Sequence, residues 1–148
     1  FAMKRIILDT NVLVSGLIQK SYPNLILEYC IAGNAVICLS NDVLREYVEV
    51  LNRPKFSKFV EFKTNADFFI ARLLDVADFF ETHETLKIIN DEADNRFLEL
   101  AAASNADFII TGNSNDFIMS EFKNTKIVSP KEFWDLHVWF LVSNNQFS

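Results

Sequence analysis

The stretch RIILDTNVLVSGLI, residues 5–18, decides how the chain reads. Its first four residues, Arg5 to Leu8, form a continuous β-prone run. That is the pattern of a strand covered on both faces, not the alternation of a half-exposed one. Directly after it stands Asp9, the single charge between Arg5 and Ile18. An ionised carboxylate taken out of water is costly unless it is paired, hydrogen-bonded or bound to a cation. Two readings are open: an Asx turn that carries the chain out of the strand, or a carboxylate held for a ligand. The residues that follow, Thr10-Asn11-Val12-Leu13-Val14, do not make an open polar loop, which weighs towards a ligand.

Working outward from this stretch, strand-like and helical patterns alternate. Helical periodicity runs from about Pro23 to Ala32, and Ala35-Val36-Ile37-Cys38-Leu39 reads as a second strand. Ser40 is placed to cap a helix that ends near Asn52, ahead of Pro54. Residues 55–77 read as further helix rich in Phe and Leu, followed by a weak strand over Phe79–Thr82. Asp91 opens a helix that ends near Asn105, and Phe108-Ile109-Ile110-Thr111 is the last clear core strand. Lys126-Ile127-Val128 reads as a short edge strand, with a helix starting near Pro130. The alternation predicts an α/β sandwich with a mainly parallel sheet. In such sheets functional groups gather beyond the carboxyl ends of the strands, at the switch point of the strand order. Asp9 and the segment Thr111–Asp116 then share one edge.

Composition narrows the function classes. A chain of 148 residues is one domain of ordinary size, and half of it is hydrophobic, with fifteen Phe, which excludes a disordered chain. Three Gly and three Pro leave little room for the many tight turns of an all-β fold. A net charge of −6 argues against a non-specific nucleic-acid coat protein. It does not exclude a nucleic-acid enzyme, because carboxylates that hold cations count as negative in the bare sequence. Cys30 and Cys38 form no CxxC pair, and His83 and His137 stand far apart, so no zinc spacing is present and a reducing compartment is the simpler reading. Lys4-Arg5 ahead of an apolar run imitates a signal peptide, but Asp9 and Asn11 interrupt it. No run approaches the roughly 18 apolar residues that span a bilayer. The expectation is a soluble cytoplasmic protein without membrane contact. Phe1-Ala2 ahead of Met3 reads as a remnant of expression.

Four carboxylates stand out. Beside Asp9, Glu46 falls just off the edge of the apolar arc made by Val43, Leu44, Tyr47, Val48, Val50 and Leu51. It is either a boundary glutamate or a group that points into a cleft. Asp94 lies on the inward face defined by Phe97, Leu98 and Ala101. Helix-end electrostatics explain Asp91 well, but the inward direction of Asp94 less well. Asp116 sits in TGNSNDF, residues 111–117, which a turn alone accounts for; Thr111 and Asn113 could support a site there by hydrogen bonds. If Asp9, Glu46, Asp94 and Asp116 converge, they repel one another until a cation neutralises them. An all-oxygen set suits Mg²⁺ or Mn²⁺, the cations of metal-assisted phosphodiester hydrolysis.

Four blocks in order, LDTNVLVSGLI, LREYVEVLNRPKF, DEADNRFLELAAASNADFIITGNSNDF and the closing SPKEF, resemble the PIN-domain family, in particular its toxin-like ribonucleases from bacterial toxin–antitoxin pairs. The likeness covers residues 4–136 as a single domain, with 137–148 as a C-terminal extension. It implies a Rossmann-like three-layer α/β/α sandwich and an Mg²⁺- or Mn²⁺-dependent endoribonuclease. The family's acidic positions fall on Asp9, Glu46, Asp94 and Asp116, supported by Asn11, Thr111 and Asn113. It also implies RNA as substrate, a cognate antitoxin as partner and a tendency to form homodimers. Related sequences carry TGD where this chain has Thr111-Gly112-Asn113, so the fourth carboxylate is Asp116 or is missing. A missing fourth ligand favours the alternative of a non-catalytic PIN-like module that binds RNA or protein.

RNA contacts must come from local basic groups. In RPKFSKFVEFK, residues 53–63, Arg53, Lys55, Lys58 and Lys63 interleave with Phe56, Phe59 and Phe62. Stacking of bases on exposed rings is one reading. Buried rings beneath solvated Lys is the other and the commoner arrangement. In both, Arg53, Lys55 and Lys58 offer charge to phosphate.

Overall fold

The computed structural model describes residues 3–112, 117 and 119–139. Among these, six strands form one sheet in the order β3-β2-β1-β4-β6-β5. At its centre β1 (Arg5–Leu8) runs parallel to β2 (Val36–Leu39) on one side and to β4 (Phe108–Ile110) on the other. Outside them, β3 (Asp78–Phe79) is parallel to β2, and β6 (Thr125–Val128) is parallel to β4. The short β5 (Glu121–Phe122) is antiparallel to β6. Ile6, Ile7 and Leu8 are all fully buried. Successive strand side chains point to opposite faces, so both faces of β1 are covered, as the apolar run required. The mainly parallel sheet covered by helices is a three-layer α/β sandwich.

The helices are α1 (Thr10–Ile18), α2 (Tyr22–Ile31), α3 (Asn41–Leu51), α4 (Phe62–Val76), α5 (Glu92–Ser104) and α6 (Pro130–Phe133). The last runs on into a π-helical turn, Trp134–Trp139. Their ends follow side-chain chemistry. The Ser40 hydroxyl accepts the Val43 N–H at 3.2 Å to start α3, and the Ser129 hydroxyl accepts that of Glu132 at 3.1 Å to start α6. Asn105, in the left-handed conformation at φ 53°, ends α5. Among the described residues no helix is long and apolar enough to cross a membrane.

Four elements differ from their sequence expectation. Residues 10–18, to which the sequence reading assigns no element, form α1. This helix sets Val12 and Leu13 into the main core and Val14 and Ile18 against a second apolar cluster. Burial on two sides removes the polar stripe by which a helix is recognised in sequence. The helix expected over 55–77 starts only at Phe62, after a 3-10 turn at Pro54–Phe56 and Glu61 in the left-handed conformation at φ 60°. The third strand lies at Asp78–Phe79, with the Phe80 N–H donated to the Leu39 carbonyl at 2.8 Å, and does not extend to Thr82. Finally, β6 is not an edge strand: a two-residue loop at Lys123-Asn124 returns β5 alongside it.

Candidate active site

The strand order reverses between β1 and β4, and two of the expected site residues sit at that reversal. Asp9 follows β1 and Thr111 follows β4. The Asp9 N–H is donated to the Ile110 carbonyl at 2.9 Å, and the Thr111 hydroxyl is donated to Asp9 Oδ2 at 2.6 Å. Both side chains are buried, Asp9 at 6% exposure and Thr111 at 0%. Asp9 is also the N-cap of α1, its Oδ1 accepting the Asn11 N–H at 3.4 Å. The cap reading and the ligand reading are therefore compatible. Each carboxylate oxygen carries two lone pairs, and the positive end of α1 favours the ionised form.

Glu46 reaches this edge from α3. It is half-buried, and burial pushes its carboxyl above the usual glutamate range. The charge of Glu49 pushes it further, Arg53 offsets part, and Asp91 and Asp9 add to the rise. Asp9 and Asp91 thus lie within electrostatic reach of Glu46. The next residue, Tyr47, is fully buried and donates its hydroxyl to the Leu8 carbonyl. This bond keeps the second turn of α3 beside the carboxyl end of β1.

The start of α5 completes the edge. A helix leading into the amino end of a parallel strand begins near the opposite, carboxyl edge, and α5 leads into β4. Asp91 caps it, accepting the N–H groups of Ala93 at 2.9 Å and Asp94 at 3.2 Å. Asp94 is buried at 8% exposure in the first turn, as its inward position predicted. Buried Asn95 fixes the approach to this cap. Its Oδ1 accepts from Ile88 at 3.1 Å and Ile89 at 2.9 Å, and its Nδ2 donates to the Ile89 carbonyl at 2.6 Å. One turn on, Glu99 accepts the Leu86 N–H and pairs with Arg96, both at 2.8 Å.

Of the expected acidic residues, Asp9 and Glu46 thus share one electrostatic neighbourhood, and Asp94 is buried beside the Asp91 cap. Asn113 and Asp116 lie outside the described residues. Asn11 takes part through its backbone, and its side chain is exposed. In the same segment the Thr10 hydroxyl is buried with no hydrogen-bond partner among the described residues. The sequence gives no signal at Thr10, reads Tyr47 as plain core and reads Asp91 as a cap only. The tertiary contacts of the last two carried no local signal.

The basic segment resolves in favour of buried rings. Phe56 and Phe62 sit in the second core cluster with Val50, Leu51 and Ala66, their ring centroids 5.0 Å apart, so they cannot stack on bases. The ammonium groups of Lys55 and Lys58 lie 5.2 Å and 5.3 Å from the centroids of Phe56 and Phe59. Lys63 pairs with Asp67 at 2.8 Å. Arg53 stands apart because its charge acts on Glu46; it also pairs with Glu49 at 3.5 Å.

With this geometry in hand, comparison with known proteins is decisive for the family. A family model for the PIN domain matches residues 5–115. The chain belongs to the PIN domain family. PIN domains are generally nucleases and typically use divalent metal ions. The chain is also similar to the uncharacterized protein MJ1680 of Methanocaldococcus jannaschii, at 26% identity over 138 residues, covering 87% of this chain and 88% of that protein. No solved structure matches the chain.

The candidate ligands are of the chemical type that a hard divalent cation takes. They are all oxygens, two of the carboxylates are buried, and a third is destabilised by like charges around it. Among the described residues alone, no three His, Cys, Asp or Glu side chains stand close enough to hold a metal ion.

Proposed function

We propose that this PIN domain is an Mg²⁺- or Mn²⁺-dependent endoribonuclease. In this reading Asp9, Glu46, Asp94 and Asp116 hold the cation, with Asn11, Thr111 and Asn113 in support. The observation that carries it is the buried Asp9 at the β1/β4 switch point, its carboxylate anchored by the Thr111 hydroxyl. A bound divalent cation supplies an acidified water and stabilises charge on the phosphoryl oxygens. Thr111 holds one Asp9 oxygen in a fixed direction. Glu46 holds the cation or orients the attacking water through its carboxylate. Arg53, between α3 and the 3-10 turn, offers charge to a phosphate of the RNA, as do Lys55 within that turn and Lys58 after it.

A role as the toxin of a toxin–antitoxin pair, silenced by its antitoxin and active as a homodimer, is supported by the sequence blocks that the chain shares with such ribonucleases. The test of the core reading is cleavage of mixed RNA in Mg²⁺, Mn²⁺ or EDTA, beside the Asp9→Asn protein. Asparagine is as good an N-cap as aspartate and can still accept the Thr111 hydroxyl, so the fold is retained while the charge is lost. Cleavage is expected in either metal, none in EDTA, and none by Asp9→Asn. Undiminished cleavage by the variant rejects the assignment. An inert wild-type protein that still binds RNA favours the non-catalytic module.

A further inference from the structure

The peptide group that joins Leu8 to Asp9 is held from both sides. Its N–H is donated to the Ile110 carbonyl at 2.9 Å, across to β4. Its C=O points the opposite way, as in any trans peptide, towards β2. There the β1–β2 ladder has already ended, its paired residues being Arg5 with Val36 and Ile6 with Ile37. The Tyr47 hydroxyl meets the Leu8 carbonyl instead. A buried carbonyl without a partner is costly, so this bond has a structural reason to exist. Its position gives it a second one. Tyr47 is the neighbour of Glu46 on α3, and Leu8 is the neighbour of Asp9 on β1. A single hydroxyl therefore ties together the two backbones that present the two carboxylates.

We propose that the Tyr47 hydroxyl is a positioning group, fixing the separation of Asp9 and Glu46 for cation binding and catalysis. This rests on the nuclease reading above. The bond runs through the backbone on one side, so it acts on direction and spacing and touches no reacting atom. Residues that orient metal ligands at one remove typically matter about ten- to a hundred-fold in affinity or rate.

The test is Tyr47→Phe, which keeps the ring that fills the core and removes one oxygen, so the chain folds. Phe133→Leu, a core change on α6, serves as a control for lost stability. Three readouts are taken well below each melting midpoint: the Kd for Mn²⁺ by calorimetry without RNA, kcat and KM on RNA, and Tm in EDTA. Tyr47→Phe is expected to weaken Mn²⁺ binding and lower kcat by about tenfold or more with KM little changed. Phe133→Leu is expected to lower Tm alone. If Tyr47→Phe lowers Tm but keeps wild-type kcat and Mn²⁺ affinity, the hydroxyl is merely structural and the proposal is overturned while the nuclease reading stands. If the wild-type protein neither binds Mn²⁺ nor cleaves RNA, both fall.

Discussion

The Thr111 hydroxyl gives Asp9 a neutral partner that fixes the direction of one carboxylate oxygen. Thr111→Val keeps the shape and removes the donor to Asp9 Oδ2. A hydrogen bond to a charged group is worth about 1.5–3 kcal/mol, and urea unfolding should show a loss of that size, with Thr111→Ser, which keeps the donor and loses only a buried methyl, less affected. An unchanged midpoint in Thr111→Val would mean that the bond contributes nothing. At this scale the sequence told an uneven story. Asp9 was legible because a lone charge inside an apolar run demands an explanation, and Asp94 because its helical position faces the core. Tyr47 was not, since a phenol counts as apolar in any periodicity and its hydroxyl finds Leu8 thirty-nine positions away. The Asp91 side chain does cap α5, as its place before a helix suggests, yet its repulsion of Glu46 arises only from the tertiary arrangement.

Among the elements, α1 was the hardest to foresee and depends most on close approach. At Gly16 it lies so near α2 that an added Cβ would come within 2.5 Å of Leu27 Cδ1 and 3.2 Å of the Pro23 carbonyl carbon. Leu27 is buried at 3% exposure and must shift to admit the methyl. Gly16→Ala is therefore expected to destabilise the protein by about 1–3 kcal/mol through overpacking, despite the better helix propensity of alanine. A stability equal to or above that of wild type, measured by urea unfolding, would show that α1 and α2 can separate freely. Because Asp9 caps α1, loosening this pair should reach the site as well as the core. The strands were easier to read. Short β-prone runs such as Arg5–Leu8 and Phe108–Ile110 leave few alternatives once they alternate with capped helices. What the sequence could not supply was the return of β5, which made β6 an interior strand.

At the scale of the whole molecule, the parallel order around β1 does what strand–helix alternation predicts: it sends the carboxyl ends of β1 and β4 to one edge and brings the starts of α3 and α5 to the same place. That edge collects negative charge in a chain already at −6. The cost shows at Glu46, whose carboxyl is pushed up by burial and by Glu49, Asp91 and Asp9 with only Arg53 in opposition. Like charges gathered at the switch point are what the proposed cation would neutralise. The most direct measurement is Mn²⁺ titration of the EDTA-stripped protein by calorimetry, with Asp9→Asn alongside. Saturable binding by the wild-type chain that Asp9→Asn abolishes or greatly weakens is the predicted result; absence of binding by the wild type, or equal binding by both proteins, would contradict it.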